Sequence, residues 1–147
     1  MKRLLPPALW AACLIGMAAI ALLAPHRSIV PPPYHLAGWA VFVAGCVFTL
    51  WGARQFSRVE TEINTFRTPG RLVTNGLFRF SRNPMYLGFF LSLLGGAIGL
   101  NTVPALVPPL VFFLAAQLWY IPYEERMAGE AFGEEYEEYK RRVRRWF

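Results

Sequence analysis

Apolar and polar residues fall into long blocks along this chain. Leu4–Ala24, Leu36–Ala53 and a window from Asn83 to Tyr123 are almost wholly apolar, with neither the two-residue alternation of a half-buried strand nor the polar stripe of a soluble helix. About 20 apolar residues cross a bilayer as a helix, so the first two blocks predict one span each. The window predicts two more, 86–100 and 103–121, joined in a tight hairpin at Asn101–Thr102. Between the second and third spans lies a polar loop, 54–85, punctuated by Thr68-Pro69-Gly70 and Thr74-Asn75-Gly76, both turn-forming. After Pro122 the pattern changes. Phe132, Tyr136, Tyr139 and Val143 recur at spacings of four, three and four, which predicts an amphipathic helix in the tail 122–147. The expected fold is a single-domain, all-α integral membrane protein with four spans and a C-terminal interfacial helix.

Charge strengthens this picture and orients it. No Asp, Glu, Lys or Arg occurs in Leu4–His26, Ser28–Ala53 or Asn83–Tyr123, together 90 of 147 residues. With both termini on the cytoplasmic side, 14 of the 15 Lys and Arg residues face the cytoplasm, leaving only Arg27 outside, as the distribution of basic residues in membrane proteins requires. The net charge of +6 therefore reflects orientation, and no nucleic-acid partner is expected. A cleaved signal peptide at Met1–Ala24 is the competing reading. The apolar run exceeds the ~7–15 residues of a signal core, and Pro25 follows the Ala-x-x-Ala stop at its end, Ala21–Ala24.

All nine acids are Glu, which excludes chemistries that hold a divalent metal on Asp. Cys13 and Cys46 lie inside apolar runs, and His26 and His35 are the only histidines, so neither a disulfide framework nor a metal site is expected. Gly38, Gly45 and Gly52 on the second span, and Gly88, Ser92 and Gly96 with Gly95 and Gly99 on the third, form small faces that let helix backbones approach in lipid. Pro31-Pro32-Pro33 predicts an extended outer connector. Pro104, Pro108 and Pro109 predict a kinked or loosened outer part of the fourth span.

Two polar features carry candidate chemistry. In Ser81-Arg82-Asn83-Pro84-Met85-Tyr86-Leu87-Gly88, proline suits the first turn of a helix, whose free N–H groups would lie at the membrane surface. Glu124 and Glu125 follow directly on the last span, where unpaired carboxylates are costly. A hairpin brings these two features side by side, with Tyr86 and backbone donors facing two carboxylates. The tail carries Glu early and Lys140, Arg141, Arg142, Arg144 and Arg145 late. This order favours its helix dipole and allows Glu137–Arg141 and Glu138–Arg142 pairs. Its aromatic stripe would rest on the lipid surface, its basic end near anionic head groups.

Leu72–Gly88, Glu124-Glu125-Arg126, Phe132-Gly133-Glu134-Glu135-Tyr136, Tyr139 and Val143-Arg144-Arg145-Trp146, taken in order, resemble the isoprenylcysteine carboxyl methyltransferase family. The wider group includes the phospholipid N-methyltransferases, whose Asn-Pro-Met-Tyr and Tyr-Glu-Glu are echoed at 83–86 and 123–125. The resemblance covers about half the chain, from Thr68 to Phe147. It implies an S-adenosylmethionine-dependent methyltransferase of a small prokaryotic type in the cytoplasmic membrane, its active site facing the cytoplasm and its acceptor lipophilic. By the same resemblance, Asn83, Pro84, Met85, Tyr86, Gly88, Glu124, Glu125, Tyr136 and Tyr139 would bind the cofactor. Arg145 and Arg82 would serve the transfer itself. Asn83 stands where eukaryotic carboxyl methyltransferases have His, and Arg144 where they have Pro.

Methyl transfer from a sulfonium is an in-line displacement that needs positioning and desolvation above all, and an Arg can orient an anionic acceptor. Two other readings compete. One is an NADPH-dependent reductase resembling the sterol reductases, its phosphates held by the arginine-rich loop. The other is a non-catalytic membrane assembly partner, its arginines mere topology signals.

Overall fold

The structure, a computed structural model, describes residues 5–23, 28–57 and 71–147. Lys2, Arg3, Arg27, Arg58, Glu60, Glu62, Arg67, the Thr68–Gly70 turn and the signal-peptide stop at Ala24-Pro25 lie outside the described residues. Among the described residues every regular element is helical: α1 (Pro6–Leu23), α2 (Ala37–Ser57), α3 (Pro84–Leu100), α4 (Val107–Ala115), α5 (Ile121–Phe132) and α6 (Glu134–Arg142). Three helical stretches are long and apolar enough to cross a membrane: Pro6–Leu23, Tyr34–Gln55 and Val103–Phe132. The fourth expected span, α3, is apolar but has 17 residues. At ~1.5 Å per residue it measures about 25 Å, less than the ~30 Å of a hydrocarbon core.

α3 is the central helix, with Leu93 and Ala97 wholly buried. Its glycines explain how α2 comes so close. A Cβ at Gly45 would stand 2.7 Å from the Gly88 carbonyl oxygen, and one at Gly95 would stand 2.7 Å from that of Gly38. These contacts are with backbone, which cannot yield as a side chain can. α1 packs on another side, where the Trp10 indole donates to Ser92 Oγ (2.8 Å) and Met17 fills the notch at Gly96. Phe112, Ala116, Tyr120 and Ile121 complete the core from the α4 side.

The prolines act differently from expectation. Pro104 sits in a 3-10 turn (Val103–Leu106), and Pro108 and Pro109 occupy the first turn of α4, where no intrahelical donor is lost. The helical irregularity comes later, as a wide π turn at Ala116–Tyr120 just before Pro122. Proline offers no N–H to the preceding turn and crowds the carbonyl four residues back, which accounts for a widened turn there. The outer connector is likewise bent, passing through turns into a 3-10 helix at Tyr34–Leu36.

The tail is two helices rather than one. Gly133 closes α5 with φ 52°, a conformation that penalises any residue with a Cβ, and α6 starts afresh. α6 does not rest its aromatic stripe on lipid. Tyr136, Tyr139 and Val143 are buried against Phe78, with Leu72, Val73, Ala128 and Phe132 around them. The polar loop supplies an apolar partner, Phe78, that the periodicity of the tail alone does not reveal. Glu137 pairs with Lys140 at 2.6 Å, and Lys140 also lies over the Tyr136 ring at 5.3 Å. Among the described residues, neither the Glu137–Arg141 nor the Glu138–Arg142 pair forms.

Candidate functional site

The beginning of α3 and the beginning of α5 meet at one end of the hairpin. The Tyr86 hydroxyl donates to Glu124 Oε1 at 2.8 Å, and its ring stacks on Tyr120 from the π turn, centroids 6.1 Å apart. One residue further on, Glu125 points to two guanidinium groups. Arg145 grips it through two nitrogens, Nε to Oε1 at 3.1 Å and Nη2 to Oε2 at 2.6 Å, while Arg82 Nη2 lies 3.1 Å from Oε1. This paired-fork geometry is the strong form of a charge-assisted contact. The pairs are largely withdrawn from solvent, with the Glu125 side chain 19% exposed and that of Arg82 12%.

Arg145 reaches this place because the chain after α6 turns back as an extended strap. Arg82 N donates to the Arg144 carbonyl (3.0 Å), Ser81 Oγ to the Arg145 carbonyl (3.3 Å) and Asn83 Nδ2 to the same oxygen (3.0 Å). The strap ends on the long helix, where Trp146 stacks on Phe113 at 5.3 Å and its indole donates to Gln117 Oε1 at 2.9 Å. Gln117 is the one Ser, Thr, Asn or Gln between Thr102 and Tyr123. That isolation was the available signal for it; sequence reasoning passed over it along with Phe113, and quoted Ser81 and Trp146 only as members of motifs, without a role of their own.

The residues singled out from sequence divide into groups. Arg82, Asn83, Tyr86, Glu124, Glu125 and Arg145 assemble at this end, with Tyr136 beside them. Tyr139 lies behind, its hydroxyl donating to the Phe78 carbonyl at 2.6 Å. Pro84 is the buried first residue of α3. Met85 and Gly88 face α2 instead: Met85 lies against Gly52, and a Cβ at Gly88 would run into Thr49. Some of the backbone donors around the start of α3 are already engaged. Asn83 N is taken by Ser81 Oγ at 3.1 Å, Leu87 N by the Asn83 carbonyl at 3.1 Å, and Pro84 has none.

Electrostatics follow from burial. Removal from water pushes the Tyr136 phenol up to about 12, Glu125 adding to the shift and Arg82 offsetting it. Burial drives Tyr139 higher still, so both phenols stay protonated at neutral pH. The hydrogen bonds from Arg145 to Glu125 raise the guanidinium further above its ordinary value. Arg82 is unusual in another way. Its Nε and Nη1 are buried without a hydrogen-bond partner among the described residues. The Tyr136 phenol lies beside the guanidinium without meeting hydrogen-bond geometry to either atom.

The sequence model of the phospholipid methyltransferase family matches residues 33–135, from the start of α2 into α6. The chain is 32% identical over 127 residues to methanethiol S-methyltransferase 1 of Bradyrhizobium diazoefficiens, covering 81% of this chain and 41% of that protein. It is 37% identical over 76 residues to a probable protein-S-isoprenylcysteine O-methyltransferase of Oryza sativa subsp. indica, covering 50% of this chain and 38% of that protein. An uncharacterized Haemophilus influenzae protein is 37% identical over 62 residues, 98% of its own length and 42% of this chain. The chain spans about two fifths of the length of the methyltransferases it matches.

Proposed function

The chain belongs to the phospholipid methyltransferase family, and from that premise we propose that it transfers a methyl group from S-adenosylmethionine to a lipophilic acceptor at the cytoplasmic face of a membrane. The observation that carries this reading is the cluster of Tyr86, Glu124, Glu125, Arg82 and Arg145 at one end of the α3–α4 hairpin. Charged side chains at the boundary of apolar spans are expensive to keep and mark functional sites. Four spans with both termini inside agree with the basic-residue distribution, α3 crossing a bilayer thinned around it.

The residues present suit the proposed cofactor. Glu124 offers a carboxylate to an ammonium or to ribose hydroxyls, the buried Tyr86 holds that carboxylate in place through its hydroxyl, and Arg82 keeps donors unused among the described residues for an anion. Bound S-adenosylmethionine would supply an electrophilic methyl group on a sulfonium. The protein's part is to orient, to exclude water and to hold charge. The strap at 143–147 closes the end of the hairpin, and Arg145, fixed by Glu125, keeps a positive charge beside it.

Among the described residues the cluster holds no histidine: Tyr136 and Tyr139 keep their protons at neutral pH, His35 lies at the opposite end of α3, and the carboxylates of Glu124 and Glu125 are engaged by Tyr86 and by Arg82 and Arg145. A carboxylate acceptor needs no base; an amine or thiol would have to arrive deprotonated. This favours O-methylation of an acid carried on an apolar tail. Calorimetry on the purified chain in detergent tests the reading, with micromolar binding of S-adenosylmethionine expected. Methyl-labelled cofactor and membrane extract should then yield a labelled lipid-soluble product by mass spectrometry. No binding of S-adenosylmethionine, or binding of NADPH in its place, would refute it.

A further inference from the structure

Both carboxylate oxygens of Glu125 are already engaged by guanidinium groups. Oε1 accepts from Arg145 Nε and faces Arg82 Nη2, while Oε2 takes Arg145 Nη2 at 2.6 Å. A ligand that contacted Glu125 directly would have to share a partly buried carboxylate with two guanidinium groups, at the one acceptor position on Oε2 that they leave. Arg82 shows the complementary imbalance. It commits one nitrogen, Nη2, to Glu125 and leaves Nε and Nη1, with three of the five N–H bonds of a guanidinium, buried and without a partner among the described residues. Leaving donors of a charged group unsatisfied away from water costs more than an ordinary lost hydrogen bond. Such an arrangement persists where a missing partner completes it.

The guanidinium is also rigidly held. Its backbone N–H is tied to the Arg144 carbonyl, and the neighbouring Ser81 and Asn83 are tied to Arg145. Arg145, bonded to the other side of Glu125, fixes the carboxylate on which Arg82 rests. We infer that Glu125 is a positioning residue rather than a ligand-contacting one, and that the free nitrogens of Arg82, which it braces, form the binding site for a carboxylate. The inference rests on the methyltransferase reading and deepens it. Two sources offer this chemistry, the amino-acid end of the cofactor and an acidic methyl acceptor.

The test compares ligands that differ only in that group, by calorimetry on the full chain in lipid nanodiscs. One arm uses S-adenosylhomocysteine and its decarboxylated analogue; the other uses N-acetyl-S-farnesylcysteine and its carboxamide. The wild-type protein should prefer the carboxylate by about tenfold or more in one arm, the scale of a hydrogen bond to a charged group, and that arm identifies the source. Arg82→Gln should abolish the preference, and Arg82→Lys, which keeps the charge but loses the fork, should reduce it; the second variant serves if the first fails to fold. Glu125→Gln should shrink the preference while leaving the carboxylate-free probe within about twofold of wild type. Equal weakening of both probes by Glu125→Gln would show that Glu125 is itself a ligand, and would overturn the inference. So would a carboxylate preference that survives Arg82→Gln. If the wild-type chain binds neither pair, the methyltransferase reading fails first; if it binds them without preference, only this inference does.

Discussion

The two ends of the α3–α4 hairpin are closed by different chemistry. At the turn end a single neutral side chain does the work. Asn101, in the left-handed conformation with φ 53°, accepts from Ile29 N and Val30 N on Oδ1 at 2.9 and 3.0 Å and donates Nδ2 to the Val30 carbonyl at 3.0 Å. Its amide thus stitches the outer connector to the hairpin. At the other end, Glu124 and Glu125 are met by a phenol and two guanidinium groups. The turn end does leave polar atoms without a partner among the described residues, Thr102 Oγ1 and His35 Nδ1, but each is a single atom, worth ~1–3 kcal/mol at most. The charged end leaves two nitrogens of a cation. An amide would have closed the charged end with less desolvation, as it does at the turn. The charges there exceed what holding two helices together requires, which is why the proposed ligand site is placed at this end.

Substitutions can break this contrast. Arg145→Ala should have the largest effect, lowering methyl transfer about 10²-fold because Glu125 and, through it, Arg82 lose their brace. Initial rates at saturating cofactor would measure it, and a rate within threefold of wild type would mean the strap is only structural. Asn101→Ala should cost about 1–3 kcal/mol of stability, visible as a lower thermal midpoint, while cofactor affinity per folded molecule stays unchanged. A parallel fall in affinity would show that the two ends are not separable. Trp146→Leu removes one hydrogen bond and one stacked pair, together about 1–2 kcal/mol. It should speed amide hydrogen exchange at 143–147 and leave the Asn101 region as protected as before.

The smallest effect concerns pH. Tyr136 and Tyr139 have phenols raised above their ordinary value of 10. Their contribution is therefore complete below pH 10 and is lost as pH climbs toward 12 and beyond. Thermal stability should be flat with respect to these groups through neutral pH and fall only in that alkaline window. Tyr136→Phe should shallow the alkaline fall. A tyrosine-dependent drop below pH 9 would contradict the burial of these rings.

Much of the fold is legible in the sequence because membrane solvation is a coarse and strong constraint. Unbroken apolar blocks can only be helices packed in lipid or protein, and the glycine faces of α2 and α3 announce close backbone approach. The meeting of Tyr86 with Glu124 was also legible, since a short hairpin leaves its two ends nowhere else to go. Other features escaped. The spacing of Tyr136, Tyr139 and Val143 marks an apolar face but does not say what covers it, and the cover proved to be Phe78 from a distant loop. Met85 and Gly88 sit in the same short motif as Tyr86, yet helical rotation turns them toward α2. A motif records neighbours in sequence, whereas a helix sends consecutive residues about 100° apart.

By itself, the sequence determined that the chain is helical and membranous, where its apolar blocks begin and end, and which few charged residues stand at their boundary. These follow from local composition, which acts on each segment independently of its neighbours. Only the tertiary structure decided which charge meets which. Glu124 and Glu125 are adjacent and chemically identical. The helix turns one toward Tyr86 and the other toward Arg82 and Arg145, from segments about 40 residues before them and 20 after. That partition depends on the rotation of α5 after the π turn and on the return of the strap after α6. Both are products of packing between distant segments, and no local pattern encodes them.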